Sequence, residues 1–272
     1  IGKILEIIIM RVFLLNIGNT TVQLAEHNSS QLHLLASYST ADLLSQENIF
    51  LKEFEDAGQN WRAVAASVVP ELERKLSNKY AAEIEFISYK AYPAIDFSYY
   101  DAAKLGADRV ANLAAAKALY PDKAVVVFDC GTCITSEAID EKGVFCGGII
   151  SAGREMMLKS LTQNTAQLPK LLKDDQSLSS FAKNTAEAIR AGVNLATLGT
   201  VEKTIKDIKK NKNFVDPVFL VTGGDAEFFL ENIPELEKTD PLFTLRGLEV
   251  AEFSLGQFGT VGQSGQKAWR TK

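Results

Sequence analysis

The sequence predicts an α/β protein of two lobes, each a mixed β-sheet flanked by helices. Its 272 residues, 46% of them hydrophobic, suffice for two cores of about 100–150 residues each. A strand, a glycine turn and a second strand follow one another near the N-terminus, and the same design returns in the second half. Between and after these hairpins, helical periodicity alternates with short apolar runs.

The first sheet is expected from Arg11–Leu15, Val22–Ala25, Leu32–Tyr38, Ala63–Val69 and Ile84–Ile87, with helices near Gln46–Ala57 and Glu71–Ala81. Ala124–Phe128, Ile134–Ile139, Val144–Ile150 and Val218–Val221 supply the second. Its helices are expected at Asp108–Leu119, Arg154–Leu161, Thr185–Ile208, Ala226–Glu231 and Leu245–Phe253. The lobe boundary is placed near Ala102–Gly106, giving an N-terminal lobe over 10–103 and a C-terminal lobe over 104–260. Met10 directly precedes the first apolar run, so 1–9 reads as an upstream or tag-like segment, and 261–272 as a tail.

The hairpin turns carry the chemistry. Arg11–Leu15 enters Asn16-Ile17-Gly18-Asn19-Thr20-Thr21 and leaves through Val22–Ala25; Ala124–Phe128 enters Asp129-Cys130-Gly131-Thr132-Cys133-Ile134-Thr135. Glycine lets the backbone approach an anion closely, with N–H groups and neighbouring hydroxyls directed at it. A carboxylate at a strand end holds Mg²⁺, usually through its waters. A third element, Val218–Val221 followed by Thr222-Gly223-Gly224-Asp225, opens through paired glycines into a helix and permits close approach to a nucleoside. Two phosphate hairpins facing each other, followed by strand-Gly-Gly-helix, is the organisation of the duplicated actin-like (ribonuclease H-like) ATP-binding fold. Neither G-x-x-x-x-G-K-[ST] nor G-x-G-x-x-G occurs, which argues against P-loop and Rossmann alternatives.

Between the hairpins lies Leu105-Gly106-Ala107-Asp108-Arg109-Val110-Ala111-Asn112, the start of an alanine-rich helix. Asp108 and Asn112 are four apart on one face, with Arg109 alongside. A carboxylate that takes the proton of an attacking hydroxyl, beside an arginine for a substrate anion, makes an acceptor site. Helix-dipole stabilisation explains an aspartate there equally well, and the residues alone leave both open.

Composition narrows the partners. A net charge of −5 without a basic run lacks the footprint of a nucleic-acid binder. No signal peptide and no apolar span of about 20 residues is discernible, so no membrane association is expected. Cys130, Cys133 and Cys146 form neither a disulfide framework nor a zinc set and read as incidental to a buried turn, which suits a reducing compartment, the cytoplasm.

The chain resembles the type III pantothenate kinases. Their pattern is met by Ile17-Gly18-Asn19-Thr20, Ser67-Val68-Val69-Pro70, Gly106–Arg109, Asp129–Thr135, Gly147–Ile150, Thr165–Pro169, Asn184-Thr185 and Thr222–Gly224, in order, across about residues 10–250. The resemblance implies ATP-dependent phosphorylation of pantothenate to 4′-phosphopantothenate, the first step of coenzyme A biosynthesis, with Mg²⁺ and a monovalent cation, K⁺ or NH₄⁺. It implies that Asn16, Ile17, Gly18, Asn19, Thr20, Thr21, Val22 and Gln23 contact ATP phosphates, with Thr132 from the second hairpin. By the same resemblance Asp129 would help hold the monovalent cation, Asp108 would accept the proton, and Tyr99, Gly106, Ala107, Asp108, Arg109 and Thr185 would bind pantothenate. A homodimer that completes the acceptor pocket across its interface is also implied. Tyr99 read alone is equally a strand aromatic, and Thr185 a helix cap.

Four positions depart from the family pattern. Asn16 stands where an aspartate is usual, and a carboxamide accepts from a metal-bound water without supplying charge. Ala152 and Ala102 replace prolines and Ala182 a glycine, as backbone adjustments. Asn16 keeps an alternative open, a kinase-like binding or regulatory homologue with weak or no turnover; a third reading is a kinase of this fold acting on another alcohol.

Overall fold

The computed structural model describes residues 10–28, 31–49, 51–174 and 178–254; the expected segment 1–9 and tail 261–272 lie outside the described residues. In chain order the elements are β1 (Arg11–Ile17), β2 (Thr21–Asn28), β3 (Gln31–Ser39), α1 (Thr40–Ser45), α2 (Lys52–Asp56), β4 (Trp61–Ser67), α3 (Pro70–Lys79), β5 (Ile84–Phe86) and α4 (Ala107–Leu119). They continue with β6 (Val125–Cys130), β7 (Cys133–Ile139), β8 (Phe145–Ala152), α5 (Arg154–Gln163), α6 (Thr185–Lys210), β9 (Val218–Thr222), α7 (Ala226–Asn232), β10 (Leu236–Lys238) and α8 (Phe243–Ser254).

The two sheets repeat one topology. The first has the order β3-β2-β1-β4-β5 and the second β8-β7-β6-β9-β10. In each, an antiparallel meander comes first, then two parallel strands are added on the other side of its first strand. This is the duplicated actin-like fold, with two mixed sheets flanked by helices. Sequence sets the strand order: the central strands β6 and β9 read VVVFDC and VFLVT, nearly continuous apolar runs suited to burial on both faces. The edge strand β3 reads QLHLLASYS and is largely solvated.

Each sheet has its own core. Phe13, Phe54, Trp61 and Tyr80 pack under the first, with Phe54 and Trp61 stacked at 4.1 Å between ring centroids. Phe128, Phe219, Phe228 and Phe229 meet Val201 and Ile205 of α6 under the second.

The chain divides into two compact units, and the segment around Ala102–Gly106, where the lobe boundary is expected, falls within unit 1. Among the described residues, unit 1 holds those up to Ala94, Asp101–Ala118 and 244–254; unit 2 holds those of Ile95–Tyr100 and Leu119–Phe243. The reason is helix packing. On α8, a Cβ at Gly247 would lie 1.9 Å from the Ala111 carbonyl oxygen, so only glycine allows α8 this close to α4. The Thr244 hydroxyl donates to Asn112 Oδ1 at 2.8 Å, and Tyr92 donates to the Gly247 carbonyl at 2.9 Å. Arg62 and Glu252 tie α8 to the first sheet by an ion pair, and His27 Nδ1 lies 2.9 Å from Glu249 Oε1. Ile95–Tyr100 joins unit 2 because Asp96 bridges Val144 and Tyr100 packs on Phe145.

Of the helix expected near Gln46–Ala57, only Lys52–Asp56 is helical among the described residues, as α2, and an unexpected short helix, α1, precedes it. Helix α1 begins at Thr40, where the Ser39 hydroxyl accepts from the Asp42 N–H at 3.3 Å. The strand expected at Ala63–Val69 begins and ends two residues earlier, because Ser67 makes a turn by accepting from the Val69 N–H at 3.2 Å and Pro70 opens α3. All three cysteines are free, with Cys130 buried in the second turn and Cys146 exposed.

Candidate active site

In unit 1 the first glycine turn closes β1 onto β2. Asn16 pairs with Gln23 and Ile17 with Val22, and the Gly18 N–H donates to the Thr21 carbonyl at 3.0 Å. Thr40 pins the turn from the side, its hydroxyl donating to the Gly18 carbonyl at 2.7 Å and its N–H to the Thr20 carbonyl at 3.0 Å. Ile17 and Val22 are buried while Asn19, Thr20 and Thr21 are exposed, so a fixed base presents a polar rim. Asn16 Oδ1 is buried and has no hydrogen-bond partner. A buried acceptor without a donor costs about 1–3 kcal/mol, and a metal-bound water would satisfy it.

The start of α4 belongs to the same unit. Val68 donates its N–H to the Ile17 carbonyl at 3.0 Å, and a Cβ at Gly106 would lie 3.4 Å from Val68 Cγ1. The Ser67–Pro70 segment therefore brings the Gly106–Arg109 corner next to the base of the first turn. Ala107 opens the helix, half-buried, and Asp108 follows in its first turn. Asp108 Oδ1 accepts from the Arg109 N–H at 2.7 Å and would lie 2.6 Å from a Cβ at Gly106, so glycine makes room for the carboxylate. Burial raises the Asp108 pKa, opposed by the Arg109 N–H and guanidinium. The Arg109 side chain is buried beside it. Asn112 stands apart from this corner: fully buried, it belongs to the contact of α4 with α8.

Unit 2 carries the second turn. Asp129 pairs with Thr135 across β6 and β7, and the Gly131 N–H donates to the Cys133 carbonyl at 2.9 Å. Thr135 Oγ1, directly across from Asp129, is buried without a hydrogen-bond partner. Thr132 is exposed at the tip, and its carbonyl accepts from the Gly153 N–H at 3.0 Å. Gly223, at φ +94°, packs so tightly that a Cβ there would meet Asp129 Oδ1 and the Cys130 carbonyl oxygen at 2.6 Å each. The Asp225 N–H donates to that same carbonyl at 2.8 Å.

The other two predicted acceptor residues, Tyr99 and Thr185, also lie in unit 2. Tyr99 is 83% exposed, on the Ile95–Tyr100 segment rather than a strand. Thr185 is the exposed first residue of α6; the cap is Asn184, whose Oδ1 accepts from the Glu187 N–H at 3.0 Å while Glu187 reaches back to the Lys183 N–H.

Sequence reasoning missed Gly153, Arg154, Lys173 and Asp225. Arg154 is 1% exposed, and its guanidinium reaches Asn194 Oδ1 at 2.9 Å, the Asp174 carbonyl at 2.8 Å and Asp225 Oδ1 at 3.8 Å. Lys173 also reaches Asp225 Oδ1, at 2.5 Å. No spacing pattern links these positions. Only the run of glycine after glycine at 147–153 and at Thr222–Gly224 signalled close backbone approach.

The topology and the glycine turn in each unit define a protein of the actin-like class, with turns of the kind that bind phosphate. Residues 12–207 match the family model described as Type III pantothenate kinase. A type III pantothenate kinase of Herminiimonas arsenicoxydans is 37% identical over 67% of this chain and 72% of its own. One from Petrotoga mobilis is 35% identical over 76% and 80%, and one from Methylacidiphilum infernorum 29% identical over 87% and 86%. Among solved structures, a conserved protein from Campylobacter jejuni assigned to a Baf family of transcriptional activators superposes with a TM-score of 0.60 and 23% identity. The match covers 90% of this chain and all of that one, and bears on the fold alone. The chain belongs to the type III pantothenate kinase family.

Proposed function

We propose that this protein transfers the γ-phosphoryl group of ATP to the primary hydroxyl of pantothenate, yielding 4′-phosphopantothenate and ADP at the first step of coenzyme A biosynthesis. The observation that carries this reading, in a chain of this family, is the Gly106–Arg109 corner, where a half-buried carboxyl of raised proton affinity sits beside a buried arginine. The pantothenate hydroxyl oxygen attacks the γ-phosphorus, the bond to the β,γ-bridging oxygen breaks, and Asp108 takes the hydroxyl proton. Arg109 binds the pantothenate carboxylate, with Tyr99, Gly106, Ala107 and Thr185 completing the acceptor set. Residues Asn16–Gln23 and Thr132 hold the ATP phosphates.

Mg²⁺ bound with ATP neutralises charge on the phosphates. Asn16 fits it, because its buried, unpartnered Oδ1 is an acceptor for a metal-bound water. Membership of the family favours a working kinase over a binding homologue without turnover. The unpartnered Thr135 hydroxyl opposite Asp129 suits the oxygen ligation of a monovalent cation. We further infer a homodimer in the cytoplasm, in keeping with three free cysteines. No helix among the described residues is long and apolar enough to cross a membrane. A coupled assay with ATP, Mg²⁺, K⁺ and pantothenate tests the reading: ADP and phosphopantothenate should form together. Phosphorylation of a related alcohol with pantothenate untouched would overturn the substrate assignment.

A further inference from the structure

Two segments grip the second glycine turn from different parts of the chain. Gly153, at the end of β8, donates to the Thr132 carbonyl, and a Cβ there would lie 2.1 Å from the Gly131 carbonyl oxygen. After β9, Gly223 packs against Asp129 and the Cys130 carbonyl, and the Asp225 N–H donates to that carbonyl. The residue after Gly153 is Arg154, which faces the Asp225 carboxylate at 3.8 Å. Its guanidinium lies 3.8 Å over the Phe228 ring, and Asn194 and the Asp174 carbonyl take up its other donors. Lys173 brings a second cation to the same carboxylate oxygen. Turn, Gly153–Arg154 and Gly223–Asp225 thus form a ring closed by one buried ion pair. Glycines alone would leave both segments free to drift from the turn; the pair joins them to each other.

We propose that Arg154 and Asp225 are positioning residues for the nucleotide, a clasp that fixes the Asp129–Thr132 turn in the conformation that receives the ATP phosphates. This rests on the reading of Thr132 as an ATP contact. A carboxylate between two cations makes the clasp depend on charge and not only on fit, so Asp225→Asn loosens it with little change in volume. Replacing the groups that orient a metal's ligands typically costs about 10–100-fold in affinity or activity, and a clasp that orients a phosphate-binding turn is expected to act on the same scale.

The test measures MgATP affinity by calorimetry and the pantothenate KM by steady-state kinetics, in the full chain. Asp225→Asn should weaken MgATP by about 10–100-fold and leave the pantothenate KM unchanged. Acting through the turn, it should add nothing to Thr132→Ala in the double variant. Should Asp225→Asn fail to fold, Arg154→Lys, which keeps the charge and removes the planar fork, takes its place in the same cycle. Parental MgATP affinity with only a lowered melting temperature, or losses that add in the double variant, would overturn the clasp. Parental MgATP affinity in Thr132→Ala would sink the assignment of Thr132, and the clasp with it.

Discussion

At Asn16 and Asp108 the protein places polar groups where burial makes each one costly in the ligand-free chain. Asn16 holds an unsatisfied oxygen, and Asn16→Asp would place a charge there. In Mg²⁺-free buffer the aspartate should therefore melt below the parent, since desolvation penalises the charged form. With Mg²⁺ and ATP the order should reverse, because a charge-assisted hydrogen bond contributes about 1.5–3 kcal/mol. Titrating Mg²⁺ against both melting temperature and initial rate checks this; an unchanged Mg²⁺ dependence would remove position 16 from the metal's surroundings. At Asp108 the carboxyl is the chain's own group, and burial acts on it directly. Its pKa is raised by burial. The stability linked to that shift is fully present below the ordinary aspartate range and is lost as pH rises through the raised value. At neutral pH the carboxylate is thus a net cost. Asp108→Asn should melt above the parent at pH 7 while turnover falls by about 10²–10⁴-fold, the range for a general base. In the parent, turnover should decline on acidification at a higher pH than an ordinary aspartate would give. A variant with near-parental turnover would return Asp108 to a helix-dipole role.

At the scale of elements, what was legible in the sequence was whatever a short window encodes. Both glycine turns, the central strands and the long helix α6 show in local periodicity and turn chemistry. The three-residue β10 is too short for any period to show, and α1 hid behind a β-branched residue at its start. Helix α4 was legible as a helix but not as part of unit 1, because its partner α8 lies far along the chain and the deciding contact, Gly247 on Ala111, needs both. The ring around the second turn escaped for the same reason: Arg154 and Asp225 look like surface charges until folding buries them together. At the start of α6 the structure separates two roles that sequence left merged. Asn184 caps the helix and Thr185 stays exposed. Asn184→Ala should cost about 0.5–2 kcal/mol in urea denaturation, as cap removals do. Thr185→Ala should leave stability unchanged and raise the pantothenate KM. A loss of stability in Thr185→Ala equal to that of Asn184→Ala would make Thr185 a structural residue instead.

On the scale of the whole molecule, duplication was visible as a repeated hairpin, whereas assembly depends on what the surface leaves uncovered. Strand β8 is an edge of its sheet, pairing only with β7 among the described strands, and Ile150 on it is 65% exposed. An exposed edge with an apolar side chain invites another chain, and proteins that stay monomeric protect such edges with charge or proline. Here β8 carries neither; it reads FCGGIISA. Unit 2 also exposes Phe181 and Tyr99, the second a proposed pantothenate contact that its own segment leaves almost uncovered. The proposed homodimer would account for both features, since a second copy would cover the apolar groups and give Tyr99 a neighbour. Sedimentation should then show a dimer for the parent chain. Ile150→Lys, which adds charge to the edge, should shift it to monomer with its circular dichroism unchanged and its pantothenate KM raised. The ATP affinity of that monomer should stay at the parental value, because the residues assigned to ATP belong to one chain. A parent that sediments as a monomer would remove the dimer from the reading, and an Ile150→Lys chain that remains dimeric would place the interface elsewhere than on β8.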